Sequence, residues 1–187
     1  PVMVYAGQEL GEKASEAEGF SGFDGRTTIF DYWKVDSLCS LPKIFEVGRE
    51  ESTLVQTQYI ASLQFSTLNL YRRLLQIANR EVVAEGKFYD LMWLNQRNPQ
   101  FDSFHQYAFV RHTEKEVLFV VANFAGEERN VQVNLTHHLF DAMGRESFGK
   151  VVATDLMTDE AVELNFSADE PVELVLKPYQ VCAYLIK

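Results

Sequence analysis

The spacing of hydrophobic and polar positions changes near residue 87. Before that point the chain reads as mixed α/β. Val2-Met3-Val4-Tyr5 is a continuous apolar run, the pattern of a short strand (1–6) buried on both faces, and Gly7 permits a sharp exit from it. Residues 11–28, "GEKASEAEGFSGFDGRTT", are rich in Gly, Ser and Glu and predict a long loop. Short apolar clusters follow around Phe30, Tyr32, Trp33 and Phe45. Then Ile60, Leu63, Leu70, Tyr71, Leu74, Leu75 and Ala78 recur at spacings of three and four, which predicts a helix over about 53–80. Ser52 or Thr53 suits its N-cap, and Gly86 marks the break beyond it.

After residue 87 the period becomes two. "FYDLMWL", "QYAFVRH", "EVLFVVAN", "NVQVNL", "KVVATDLM", "AVELNF", "PVELVL" and "QVCAYLI" are eight strand candidates, separated by turn residues such as Asn98-Pro99 and Lys177-Pro178. Regularly spaced short strands predict an antiparallel β-sandwich of Greek-key type. "HHLFDAMG" at 137–144 reads as a helical turn between strands. The expected fold is therefore mainly β, an antiparallel sandwich over 87–187 preceded by an α/β segment over 1–86.

Composition sharpens this picture. With 187 residues, 47% of them hydrophobic, the chain can bury a sizeable core. Its net charge of -10 argues against a nucleic-acid partner, because phosphate binding needs clustered Lys and Arg. No apolar run approaches the roughly 18 residues that span a membrane. No signal-peptide pattern is visible. Cys39 and Cys182 stand far apart and read as free thiols rather than a disulfide framework or a zinc site.

At this point the residues carry a resemblance. "PVMVYAGQE" resembles the eighth barrel strand of the α-amylase family of glycoside hydrolases (family 13), whose pattern is Pro-x-x-Tyr-x-Gly-x-Glu; Pro1, Tyr5, Gly7 and Glu9 match it. "LYRRLLQIANREVVAEGKF" resembles the eighth barrel helix and the Gly that leads into the next strand, through Tyr71, Leu74 and Gly86. Ala108 to Arg111 and Asn123-Phe124 resemble the first strands of that family's C-terminal sandwich. The resemblance covers nearly the whole chain. It implies that residues 1–86 are the end of a (β/α)8 barrel, contributing its last strand and helix, and that 87–187 form the C-terminal β-sandwich. It also makes Pro1 a cut inside a longer chain.

The same resemblance implies what this chain lacks. Retaining glycoside hydrolysis needs two carboxylates about 5–5.5 Å apart. In the family they stand with a third Asp on earlier barrel strands, upstream of Pro1, so no catalytic residue is assigned. The family's calcium site also draws its ligands mainly from upstream, and no metal or cofactor is expected in this chain. Substrate-binding candidates remain at the strand end, the working face of such barrels. Gln8 and Glu9 stand there, although Glu9 would equally brace the strand end through a basic neighbour. Arg26 roughly matches a loop arginine that contacts outer sugars in some members. Trp33 either stacks on a sugar face or packs in the core.

Other features are read more plainly. Trp93 is expected in the sandwich core. His137, His138 and Asp141 suit capping or a surface role better than a metal site. Glu50-Glu51, Asp159-Glu160 and Asp169-Glu170 fall at turns as solvated charges. Asn134-Leu-Thr136 and Asn165-Phe-Ser167 fit the glycosylation triplet, which often arises by chance.

Three functions compete. In the first, the chain is the C-terminal part of an α-amylase-like enzyme acting on α-glucans such as starch and maltooligosaccharides, inactive alone, with the N-terminal barrel as its partner. In the second, the sandwich is a carbohydrate-binding module using Tyr89, Trp93 or Tyr107. In the third, the parent enzyme transfers glucosyl or maltosyl units, since transfer and hydrolysis share one covalent intermediate. On any barrel reading, strand 1–6 and the apolar stripe of helix 53–80 should dock on the sandwich or drive oligomerisation through the uncovered barrel surfaces.

Overall fold

The computed structural model describes residues 8–10 and 55–187, and of 55–65 the helical backbone. Strand 1–6, Arg26, Trp33, Cys39 and the N-cap candidates Ser52 and Thr53 lie outside the described residues. The chain divides into two compact units, Pro1–Leu75 and Gln76–Lys187.

In the first unit, Gln8–Leu10 form a single 3-10 turn with Leu10 buried. Helix α1 runs Val55–Ala78, where the periodicity places a helix over 53–80, and its residues from Gln76 on belong to the second unit. Leu70, Leu74 and Leu75 on this helix are exposed.

The second unit is mainly β. Its strands are β1 Lys87–Asp90, β2 Gln106–His112, β3 Val117–Asn123, β4 Arg129–Val133, β5 Gly149–Asp155, β6 Glu160–Phe166, β7 Val172–Leu176 and β8 Val181–Ile186. Six form one antiparallel sheet in the order β1-β2-β3-β8-β5-β6, and β4 pairs with β7 in a second, two-stranded sheet. One core fills the space between the layers. Phe119, Val121 and Tyr184 from the large sheet meet Val131, Val133, Val172 and Leu176 from the small one. Phe166 packs edge-on against Phe119 at 5.5 Å and against Phe140 at 5.7 Å, the geometry that ring quadrupoles favour.

Alternation explains β2: Gln106, Ala108, Val110 and His112 are buried, while Tyr107, Phe109 and Arg111 face outward. In β3 and β8 nearly every residue is buried, because their outer face is covered as well. Helix α2, Glu81–Ala84, supplies the cover. Its Val82 joins Leu118, Leu156, Ala183 and Leu185 in a second apolar cluster, with Ile77 and Val83 at its margin.

Two expectations are corrected. "FYDLMWL" is not one strand: β1 stops at Asp90, and Met92–Asn95 form a helical turn, α3. The Asp90 carboxylate accepts from the Met92 amide at 3.0 Å and ends the strand there. Trp93 consequently lies outside the core, 54% exposed. The segment "HHLFDAMG" forms helix α4, His137–Met143, with the Thr136 hydroxyl accepting from the Leu139 amide at 3.3 Å and Gly144 closing the helix at φ 66°.

Buried polar side chains serve the loops. Asn123 Nδ2 donates to the carbonyls of Glu127 and Lys177 at 2.9 and 3.0 Å, and its Oδ1 accepts from the Ala125 amide. Asn95 donates to the Leu91 and Asn134 carbonyls and accepts from the Asn134 amide. Asp155 accepts from the amides of Met157 and Ala183. Each supplies the partner that a buried backbone group would otherwise lack.

Candidate functional site

Of the substrate-binding candidates, only Gln8 and Glu9 fall on described residues. Both stand on the 3-10 turn, Gln8 exposed and Glu9 half-buried. Glu9 Oε2 is buried and has no hydrogen-bond partner among the described residues. Arg26 and Trp33 lie outside the described residues, so they add nothing to this geometry.

The residues that carry the resemblance in the second unit share a structural task. Arg111 stands on the outer face of β2, opposite Phe88 of β1. Its Nη2 donates to the Gly86 carbonyl at 2.6 Å and its Nε to the Val82 carbonyl at 3.3 Å. A guanidinium at the end of a helix satisfies carbonyls that have no intrahelical partner and meets the negative end of the dipole. Gly86 must be glycine here, since a Cβ would come within 2.1 Å of the Val82 carbonyl oxygen. Asn123 ties the β3 end to the β7–β8 turn through the bonds already described. Gly86, Arg111 and Asn123 thus fasten helix α2 to the sheet and close the sandwich.

The aromatic candidates separate. Tyr107 stays on the outer face, 39% exposed, with its ring centroid 5.8 Å from Phe109. Phe88 continues this row at 5.4 Å from Phe109 and is 52% exposed. Tyr89, one residue on, points to the opposite face and packs against the core. Its hydroxyl meets His138 Nδ1 at 2.8 Å and the Thr136 hydroxyl at 3.3 Å. Tyr89, Trp93 and Tyr107 therefore do not form one platform. The row that exists is Phe88, Phe109 and Tyr107. Periodicity carried a signal for it: alternation along β2 puts Tyr107 and Phe109 on one face, but only the register adds Phe88.

The side chains of His105, His137 and His138 and the thiol of Cys182 are engaged within the fold. His137 lies 3.4 Å from Asp169, and His138 is engaged by Tyr89. Among the described residues no group of three or more His, Cys, Asp or Glu is placed to hold a metal ion. His105 Nδ1 sits 2.8 Å from Asp102 Oδ2, and this bond, with the Phe104 amide, lowers the Asp102 carboxyl below the usual range. Cys182 is a buried free thiol whose pKa burial raises, which makes it a poor nucleophile. Burial likewise raises the phenol of Tyr184. Among the described residues no helix is long and apolar enough to cross a membrane.

No protein-family model matches this sequence, and no curated protein matches it. Solved structures similar to part of it include an α-amylase from Geobacillus thermoleovorans complexed with acarbose, at 14% identity and TM-score 0.44, over 67% of this chain and 23% of that one. A noncanonic maltogenic α-amylase, AmyB from Thermotoga neapolitana, is similar at 10% identity and TM-score 0.42, over 73% of this chain and 26% of that one. AmyP in complex with maltose is similar at 13% identity and TM-score 0.38, over 70% of this chain and 20% of that one. The chain thus spans about a quarter or less of the length of these structures.

Proposed function

We propose that this chain is the C-terminal part of an α-amylase-type glycoside hydrolase acting on α-glucans. In this reading residues 1–86 end the barrel domain and 87–187 are a sandwich domain that braces it. Gln8, Glu9, Arg26 and Trp33 face the glucan, and the catalytic carboxylates belong to the barrel upstream. The observation that carries the reading is the bond from Arg111 to the Gly86 carbonyl. Two residues that carry the family resemblance meet there, and the contact fastens the helical segment to the sheet. Attachment by the matched residues supports a bracing role for the sandwich.

The test has two parts. The 187-residue chain is assayed for release of reducing sugar from soluble starch, and antibody raised against it is used to blot extract of the source organism. No activity, and a band well above 21.5 kDa by the mass of a barrel of about 250 residues, are expected. Hydrolysis by the chain alone, or a band at its own mass, overturns the reading. Product analysis of the parent then separates hydrolysis from glucosyl or maltosyl transfer.

A second reading is favoured by the row of Phe88, Phe109 and Tyr107: the outer sheet face as a sugar-stacking surface. Retention on insoluble starch that falls on Tyr107→Ala or Phe88→Ala supports it, and retention unchanged by both removes it.

A further inference from the structure

At the end of the sandwich where β1 begins and β2 finishes, an open cavity of about 530 Å³ lies between these strands and the C-terminus of α4. His112 lines it, 6% exposed. Asn95, Asn123 and Asp155 are buried to a similar degree and are all hydrogen-bonded, but the His112 ring has no hydrogen-bond partner among the described residues. An unpaired polar ring at the inner wall of a cavity is a ligand contact left open. Its direct cross-strand partner is Lys87, whose side chain shares its face and makes no ion pair among the described residues. The charges that act on the ring are Lys87 and Arg145, both cationic. Arg145 is already committed, donating to the Glu114 carbonyl and lying over the Phe148 ring at 5.6 Å.

The remaining charges of the lining, Lys115 apart, have the opposite sign. Glu81 pairs with Lys115 at 3.8 Å, which leaves the exposed carboxylates of Glu85, Glu114 and Asp141 without a cation among the described residues. A simple anion at Lys87 and His112 would be repelled by three carboxylates, and a simple cation would leave Lys87 and His112 unpaired. A ligand carrying both charges satisfies both.

We propose that this cavity binds a small zwitterion of the amino-acid or dipeptide type, its carboxylate held by Lys87 and His112 and its ammonium by Glu85, Glu114 and Asp141. The assignment is independent of the glucan reading, since it concerns a different surface and a different ligand.

Nuclear magnetic resonance of the His112 ring in the 187-residue chain tests it, at constant ionic strength. The probes are glycylglycine, acetate, ethylamine and maltotriose. Glycylglycine is expected to shift the ring resonances saturably and to raise the ring's pKa, because a bound carboxylate favours the imidazolium. Lys87→Met should weaken that binding about tenfold and Asp141→Asn severalfold, by loss of a charge-assisted bond. Both positions are exposed, so the thermal midpoint should not move. A saturable response to acetate or ethylamine as strong as that to glycylglycine overturns the proposal. So does a response to maltotriose, no response to any probe, or binding indifferent to both substitutions.

Discussion

Arg111 Nη2 donates to the Gly86 carbonyl at 2.6 Å, joining the outer face of β2 to the segment that follows α2. The same guanidinium reaches the Val82 carbonyl within α2 through Nε. Replacing it with Met keeps most of the stem and removes both donors. The expected loss is about 1.5–3 kcal/mol, the range for hydrogen bonds from a charged donor. Hydrogen exchange should accelerate at residues 80–86 more than in β5 and β6. Uniform acceleration, or no change in the unfolding midpoint, would show that the contact does not hold the helix.

Gly86 and Gly144 predict different costs for the same change to Ala. At Gly86 a Cβ meets backbone on two sides, 2.1 Å from the Val82 carbonyl oxygen and 3.1 Å from that of His112. Backbone must shift, and the expected cost exceeds about 3 kcal/mol. At Gly144 nothing lies within 4 Å, and the cost is that of holding φ 66° with a side chain, about 1 kcal/mol. Urea denaturation of both variants checks the order. Equal losses would mean that the Val82 contact relaxes freely.

His112 sets an acid limit. Burial, then Lys87 and Arg145, lower its pKa below the ordinary 6.5. The folded state therefore binds fewer protons than the unfolded state in the window from pH 6.5 down to the folded value. Stability is unaffected above that window, falls as pH drops through it, and levels off below it. His112→Gln should flatten this part of the curve of unfolding free energy against pH. An unchanged slope between pH 7 and 5.5 would show that His112 protonates freely in the folded chain.

Cys182 should be silent until the sandwich opens. Its thiol is buried, with a raised pKa, in the middle of the core layer. In a Cys39→Ser background, labelling by a thiol reagent at pH 8 should track global unfolding in urea. Fast labelling of the native chain would contradict the packing of β8.

Much of the second unit was legible in sequence order. Alternation in "QYAFVRH" and "NVQVNL" marks both the strands and their buried faces, because successive side chains of a strand point to opposite sides. The turn residues between strands and the Thr136 and Gly144 ends of α4 are equally local signals. "FYDLMWL" misled because its apolar residues fit a strand and a helical turn alike. One hydrogen bond from the Met92 amide to Asp90 decides between them and carries Trp93 into solvent. Of the candidate site, Tyr107 was legible, whereas Phe88 required the register of β1 against β2.

What the sequence determined by itself is the local periodicity: a helix over about 53–80, then a series of short strands, with the inner face marked by apolar residues in β2 and β4. Tertiary structure decided the rest, because those choices rest on contacts between residues far apart in the chain. The order β1-β2-β3-β8-β5-β6 brings β3 beside β8, and α2 then covers the outer face of both. That cover explains why Leu118 and Leu185 are buried on a side that alternation alone would leave wet. The pairing of Lys87 with His112 has the same origin, since a cross-strand register sets two side chains face to face that no local pattern connects.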